Sequence, residues 1–543
     1  NSNFYNIQGT LHYFPQGDYL IQLDVTYLYP EGDGSLPAPQ PKFVVKPIYE
    51  SGEVSIADIN NDGWDDFVCG GNVFINTYQT NGSYSATQTG IGAAAGTNWA
   101  DFDNDGDLDC YAFANGQFDW DKRMVQNNDK IYINNGNGTF SPLKTSEVFR
   151  QPYPNPSNDF NLPAKFENTN YFNPYNTCTP FWLDYNNDGL PDLYIANKRI
   201  EISGKPEIYC PDEIWKNNGD GTFSNTRTEA NLSSGEPLIY GSPQNGTIDG
   251  YYDCYGAAAC DYNNDNLPDI YVATYRLAPD NLFKNLGNGS FVDVGKETGV
   301  RGVPTYADNY FGHGMGSSFG DFNNDGLIDL CVGNLAHTDS RGLFSNPSLI
   351  FKNLGPNGNF KFEEVHKQMG LKFHEGNAGA CWADFDNDGN LDLWHGKYSG
   401  GYGTFYLNQG PPDYILKDIT WDINCFIDSP WEGVRFDFDN DGDLDMIIKN
   451  NLVRNDLPHK GNWVSLRLVG LPLENVSMNC FNTKVYVYAS GKMFYQEIMG
   501  TAAGTHSNQN SMALHFGLGN ANIIDSIIII YPNKHTNKIT NVV

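Results

Sequence analysis

The sequence predicts an all-β chain: a seven-bladed β-propeller followed by a small β-rich, sandwich-like C-terminal domain. Three observations predict it. A nine-residue acidic loop recurs seven times, an Asn/Gly hairpin signature follows most copies, and after Gly461 the pattern changes to plain strand alternation.

The loop is clearest as DFDNDGDLD from Asp101. Asp101, Asp103, Asp105 and Asp109 occupy positions 1, 3, 5 and 9, with Gly106 at position 6. Alternate carboxylates in a short loop converge on one centre, and glycine at position 6 permits the sharp turn. Such a set of hard oxygen ligands is what Ca²⁺ takes, and position 7 adds its backbone carbonyl, here Asp107. The same grammar gives Asp58, Asn60, Asp62, Trp64 and Asp66 in DINNDGWDD, and Asp184, Asn186, Asp188, Leu190 and Asp192 in DYNNDGLPD. It gives Asp261, Asn263, Asp265, Leu267 and Asp269 in DYNNDNLPD, and Asp321, Asn323, Asp325, Leu327 and Asp329 in DFNNDGLID. The last two copies supply Asp384, Asp386, Asp388, Asn390 and Asp392, then Asp437, Asp439, Asp441, Asp443 and Asp445. One copy alone would also fit a solvated acidic turn. Seven with one ligand grammar predict up to seven Ca²⁺ ions. Only the copy at Asp261 lacks the glycine, and Asn266 replaces it, the next best residue for a left-handed backbone.

These are not EF-hands. Position 12 holds Cys69, Ala112, Ile195, Val272, Val332, His395 and Ile448 rather than a bidentate Glu. The flanks, such as VSIA before and DFVCGG after, are short apolar runs that read as strands. The hairpin signature follows as IYINNGNGTF, IWKNNGDGTF, LFKNLGNGSF and IFKNLGPNGNF. Strand, loop, strand, connection, strand, Asn-Gly turn, strand makes one blade. Small residues before several loops, as in GAAAC and GMGSSFG, suit innermost strands crowding an axis. The last unit is short after MIIKNNLVRND, so closing the ring calls for a strand from elsewhere, with YLIQLDVTYLY from Tyr19 as the candidate. The expected organisation is an N-terminal β arm over 1–45, closing the ring or pairing with a neighbour, a propeller over 46–457, and a β domain over 458–543. In the last, GNWVSLRLVGL, KVYVYASGKMFYQEIM, MALHFGLG and SIIIIYPN read as strands. The alternation of strand direction puts acidic loops and Asn-Gly turns on one face. Every long connection falls on the other, and long loops on a rigid scaffold carry recognition.

Net charge is −32. That excludes nucleic acid and anionic membrane surfaces as partners, both of which require basic patches. No apolar run approaches the ~20 residues of a membrane-spanning helix. The start NSNFYNIQG fits a processed secreted chain or a trimmed one. Ten cysteines suit an oxidising compartment, where disulfides form, without fixing a pairing; buried free thiols are the other reading. Sequons start at Asn81, Asn137, Asn231, Asn245, Asn288 and Asn475, so the chain is expected as a glycoprotein where its source glycosylates.

The seven loops resemble the FG-GAP/VCBS repeats of integrin-α-type propellers, and LHFGLGNANIIDSIIIIYPN resembles the ASPIC/UnbV domain. The combination is similar to the cartilage acidic protein family, over about residues 50–543. The tail departs from that pattern where NVSMNCFNTKV stands in place of a small Gly/Ala-rich turn. The resemblance implies an extracellular, calcium-loaded protein of adhesion, matrix or surface assembly, with no known reaction. It also implies ions held on the face opposite the ligand, through positions 1, 3, 5, 7 and 9 of each loop.

The functional expectation is therefore a secreted or cell-surface calcium-binding adhesion or recognition protein, with a protein or glycan ligand on the long-connection face. The alternative is a structural subunit of an extracellular filament, sheath or coat. A propeller-based carbohydrate-active enzyme ranks last, and no catalytic residues are assigned. The GSSFG from Gly316 runs straight into a loop where a nucleophile elbow needs a helix. His313 and His395 flank loops on expected strands, where a packed histidine is the plainer reading.

Overall fold

The computed structural model describes residues 43–48, 52–143, 176–198, 212–232, 253–457, 461–500 and 508–542, apart from 88, 90, 93, 114–116, 120–123, 127–128, 306–309, 338–341 and 343. Seven four-stranded antiparallel sheets form the blades. Their first strands are Val54–Ala57, Gly96–Ala100, Asn176–Leu183, Cys254–Cys260, Gly314–Gly320, Asn377–Ala383 and Gly433–Phe436. Each touches the first strands of both flanking blades, and Gly433–Phe436 meets Val54–Ala57, so the ring is closed. Crowding at the axis explains the small residues there. A Cβ on Gly256 would lie 2.7 Å from the Gly316 Cα of the next blade.

The seventh blade takes its outer strand from the start of the chain. Phe43–Pro47 pairs antiparallel with Asn451–Asn455, Phe43 opposite Asn455 and Pro47 opposite Asn451. The closing strand is thus FVVKP, not the expected YLIQLDVTYLY, which lies outside the described residues. Phe43 is the deciding side chain. It is buried against Phe385 and Phe405 of blade 6.

One side chain in every blade stitches it to its neighbour. The third strand ends in Asn76, Asn134, Asn217, Asn285, Asn353, Asn408 or Asn455. Each donates its Nδ2–H across the blade boundary to the position-2 carbonyl of the preceding loop, at 2.7–3.3 Å. A second Nδ2–H goes to the position-8 carbonyl of its own loop, at 3.1–3.3 Å. Its Oδ1 accepts the N–H two residues on, at 2.9–3.1 Å. Every polar atom of a buried amide is satisfied, and the bonds run round the ring without a break.

The C-terminal domain has two sheets. Asn462–Leu466 pairs with Leu514–Gly519, and a four-stranded sheet runs Lys492–Ile498, Thr483–Ala489, Ile524–Ile530, Thr536–Val542. It shares one hydrophobic core with blades 2 and 3, in which Phe102, Tyr111, Trp182 and Trp215 pack with Val464, Phe481, Phe494 and Ile527.

Replacing Asn353 with Ala leaves the buried Tyr262 and Ile328 carbonyls without this donor. With ~1–3 kcal/mol for each unsatisfied group, chemical denaturation should show a loss of roughly 2–6 kcal/mol. A loss within ~0.5 kcal/mol of zero, the range of an ordinary surface change, would remove the stitch from the account.

Candidate metal centres

The seven loops share one hydrogen-bond frame. The position-1 carboxylate accepts the N–H of position 5 on Oδ1, at 3.0–3.2 Å. Its Oδ2 accepts the N–H of position 6, at 2.6–2.9 Å. The position-5 Oδ1 accepts the N–H of position 7, at 2.8–3.1 Å. The position-9 Oδ1 accepts the backbone N–H of the stitching asparagine, at 2.6–2.9 Å. Asp58, Asp101, Asp184, Asp261, Asp321, Asp384 and Asp437 are therefore held by backbone donors. So are Asp62, Asp105, Asp188, Asp265, Asp325, Asp388 and Asp441, and Asp66, Asp109, Asp192, Asp269, Asp329, Asp392 and Asp445. Asn266 takes the glycine's left-handed turn with φ +69°.

The side-chain oxygens converge. One oxygen each of Asp101, Asp103 and Asp109 lie within 4.8 Å of one another, and the same holds for Asp384, Asp386 and Asp392, and for Asp437, Asp439 and Asp445. These are the three copies with Asp at position 3; the other four present an amide there in Asn60, Asn186, Asn263 and Asn323. Asp269 Oδ2, Asn323 Oδ1 and Asp439 Oδ1 are buried and receive no hydrogen bond. Burial pushes Asp58 up to about 6, Asp101, Asp184 and Asp321 to about 7, Asp66 to about 8 and Asp109 to about 9. Asp192, Asp269, Asp329, Asp392 and Asp445 are raised well above the carboxylate range by burial and then by their loop partners' charge. Oxygen donors held together around a buried position-9 carboxylate, some without a hydrogen bond, fit a hard divalent cation. The position-7 residues Trp64, Asp107, Leu190, Leu267, Leu327, Asn390 and Asp443 would offer backbone carbonyls. Their N–H groups are already committed to the loop frame.

The loops are also linked sideways. Position 4 is asparagine in every copy, left-handed at φ +52° to +60°. Asn61, Asn104, Asn187, Asn324 and Asn387 each donate Nδ2–H to the position-6 carbonyl of the next loop, at 2.8–3.0 Å.

The C-terminal domain covers this face and touches all seven loops. Arg467 pairs with Asp65 at 2.9 Å. Asn479 Oδ1 accepts the Asp101 N–H at 2.8 Å, and Asn482 donates to the Asp184 carbonyl at 2.5 Å. Lys484, buried, pairs with Asp261 at 2.5 Å. His515 bonds Asn387 at 2.7 Å. Met493 and Trp463 lie where a Cβ on Gly326 or Gly442 would be. The segment Asn508–Ser511 enters the axis. Asn508 Oδ1 accepts the Val54 N–H at 2.9 Å, Gln509 brackets Trp99 at 2.7 and 3.1 Å, and Asn510 Oδ1 accepts the Arg435 N–H at 2.9 Å.

Sequence reasoning missed the stitching asparagines, although the signal is in the repeats: an Asn stands at the same place in all seven. It read that residue as part of the turn alone. It also missed Arg467, Lys484 and Gln509, for which the sequence carries no repeat signal. Among the other residues singled out, His395 is buried, bonds the Gly396 carbonyl through Nδ1 at 3.1 Å and is pushed down to about 4 by burial. His313 Nδ1 accepts the Arg276 N–H at 3.2 Å. Ser318 receives the Trp382 indole N–H on its carbonyl at 3.2 Å, an inter-blade contact. Nine cysteines are described, all of them buried, and Cys210 lies outside the described residues. Exposure at Asn81, Asn137, Asn231, Asn288 and Asn475 leaves these sequons accessible, and Asn245 lies outside the described residues.

A ring of blades, each opened by an aspartate loop and capped by one β domain, defines an FG-GAP-repeat propeller. The chain carries FG-GAP-like repeats over 184–272, 261–332 and 321–395, and an ASPIC and UnbV domain over 477–543. It is similar to cartilage acidic protein 1 of Xenopus tropicalis, 24% identical over 497 residues, covering 86% of this chain and 68% of that protein. Against the human protein of that name it is 24% identical over 332 residues, 58% of this chain and 47% of the relative. The chain thus spans about half the length of the human relative. Among solved structures, an Agrocybe aegerita lectin recognising non-reducing terminal N-acetylglucosamine aligns at 16% identity and TM-score 0.39, over 76% of this chain and 90% of that one. An exotype rhamnogalacturonan lyase aligns at 13% identity and TM-score 0.38, over 80% and 76%. Scores of that size carry nothing to the site.

The raised carboxyls set a sign. Each binds its proton more tightly folded than unfolded, where the value is about 4. Their stabilisation is complete below that pH and is lost as pH rises through about 6 to 9. In chelator, the melting temperature should fall steadily between pH 5 and pH 9, and millimolar Ca²⁺ should abolish the fall. A chelator melt that rises over that range contradicts the site.

Proposed function

We propose that this is an extracellular, non-catalytic recognition protein. Its seven loops hold Ca²⁺ as structural ions, and its long-connection face receives a protein or glycan. The observation that carries this reading is the position of the C-terminal domain. It lies on all seven loops and sends Asn508–Ser511 into the axis, so the loop face is occupied by the chain itself. The second-to-third and fourth-to-first connections remain on the opposite face. The relatives named cartilage acidic protein 1 support an extracellular setting. Among the described residues no helix is long and apolar enough to cross a membrane.

In this reading the ions act on stability, not on chemistry. For sites near ~10⁻⁴ M in about millimolar Ca²⁺, each contributes roughly 1.4 kcal/mol, and seven contribute roughly 10 kcal/mol. That is as large as the whole stability of a typical domain. The filament or coat alternative has less support, because Phe43–Pro47 pairs within its own ring.

Light scattering separates the two. In millimolar Ca²⁺ the expected species is a discrete monomer or dimer, and chelator should lower its melting temperature sharply. Large assemblies that disperse on chelation would replace this reading with the structural one, and a melt unchanged by chelator would remove the ions from it.

A further inference from the structure

Three blades follow their fourth strand with a single helical turn, FSNTRTEAN in blade 3, FVDVGKETG in blade 4 and LKDITWDIN in blade 6, and FEEVHKQMG in blade 5 makes a turn there with the same Met369 N–H to Val365 carbonyl spacing. The register aligns Thr228, Lys296, Lys367 and Trp421, and all four are exposed. The scaffold therefore asks for nothing apolar here, and three sister blades fill the position with a polar side chain. Blade 6 instead exposes 71% of a tryptophan.

Trp421 is not isolated. Phe426 stands edge-on to it at 4.6 Å, and Tyr402 stands edge-on to Phe426 at 4.9 Å and to Trp421 at 6.1 Å. All three rings are exposed. They come from the two connections of blade 6, 398–403 and 419–432, on the face away from the loops. The same connections hold a second edge-on pair, Tyr398 and Trp431, at 4.7 Å, with Tyr398 exposed. Edge-on contact is a preferred aromatic arrangement and holds the rings against one another, while Trp421 keeps most of its indole in solvent. Asp422, Asn424 and Asp428 are exposed beside them and offer hydrogen-bond acceptors.

We propose that these rings form a binding platform for a neutral saccharide. Resting on the recognition role proposed for this face, the inference names its ligand class and its place. The apolar face of a pyranose ring matches one indole or phenol face. Its hydroxyls are donors for the flanking carboxylates and amide. Lys449 donates to the Asp428 carbonyl at 2.9 Å and Lys397 lies against Gly401, so with Asp422 and Asp428 the platform carries no net positive charge, and a chain charge of −32 disfavours uronates, sulfated sugars and anionic membranes.

The test measures retention of the full chain, in millimolar Ca²⁺, by cellulose, chitin, laminarin and galactomannan, with polygalacturonate as the anionic comparison. Trp421→Lys restores the residue that blades 4 and 5 carry, so the turn is expected to fold; Phe426→Ala is the second variant. At least one neutral polysaccharide should bind, and each variant should weaken it by about tenfold or more, as truncating a central aromatic contact does, with an unchanged melting temperature. Equal binding by Trp421→Lys overturns the platform while leaving recognition by this face standing. Retention by polygalacturonate alone also overturns it. No retention by any of the five polysaccharides overturns the platform while leaving a protein ligand on this face standing.

Discussion

The propeller hangs on one repeated pair: a buried aspartate at loop position 9 and the asparagine that ends the third strand. In blade 5, Asp329 accepts the Asn353 N–H at 2.7 Å, and the Asn353 amide then reaches the Tyr262 carbonyl of blade 4 at 2.8 Å. A carboxylate that belongs to the candidate metal centre thereby orients the side chain that fastens two blades. The same carboxylate is raised well above its ordinary range by burial. Burial favours its protonated form, and a bound divalent cation would favour the ionised one. On the proposed reading, ion, loop and blade boundary are one unit, repeated until the ring closes on Phe43–Pro47.

That coupling assigns the two faces. Sideways bonds from position-4 asparagines join neighbouring loops, and the C-terminal domain rests on all of them. A loop that loses its shape would disturb its neighbour, its blade boundary and the domain above it. The opposite face is free of this constraint. Its connections differ in length and content from blade to blade, and blade 6 uses that freedom to carry exposed rings where its sisters carry Thr or Lys.

The blade count and the loops were legible because a repeat is its own control. Seven copies of one acidic nonapeptide left no room for chance, and Asn266 took the left-handed turn that its substitution for glycine required. The stitching asparagines were visible yet read as turn residues, since a pattern of neighbours in sequence cannot show a bond to the preceding blade. Strand alternation favoured residues near Tyr19 for closing the ring; burial of Phe43 against Phe385 and Phe405 decided for FVVKP. The docking of the last domain was not legible at all. Lys484 on Asp261 and Gln509 on Trp99 are unique contacts across hundreds of residues, with no period or composition to announce them.

Counting the ions tests the central claim most directly. Native mass spectrometry of the intact chain, dialysed against millimolar Ca²⁺ and compared with the chelated sample, gives the number bound. The account predicts up to seven ions in discrete steps, falling when a position-9 residue such as Asp109 is changed to Asn. A chain that stays folded and binds no Ca²⁺ above the level of non-specific adducts would contradict it.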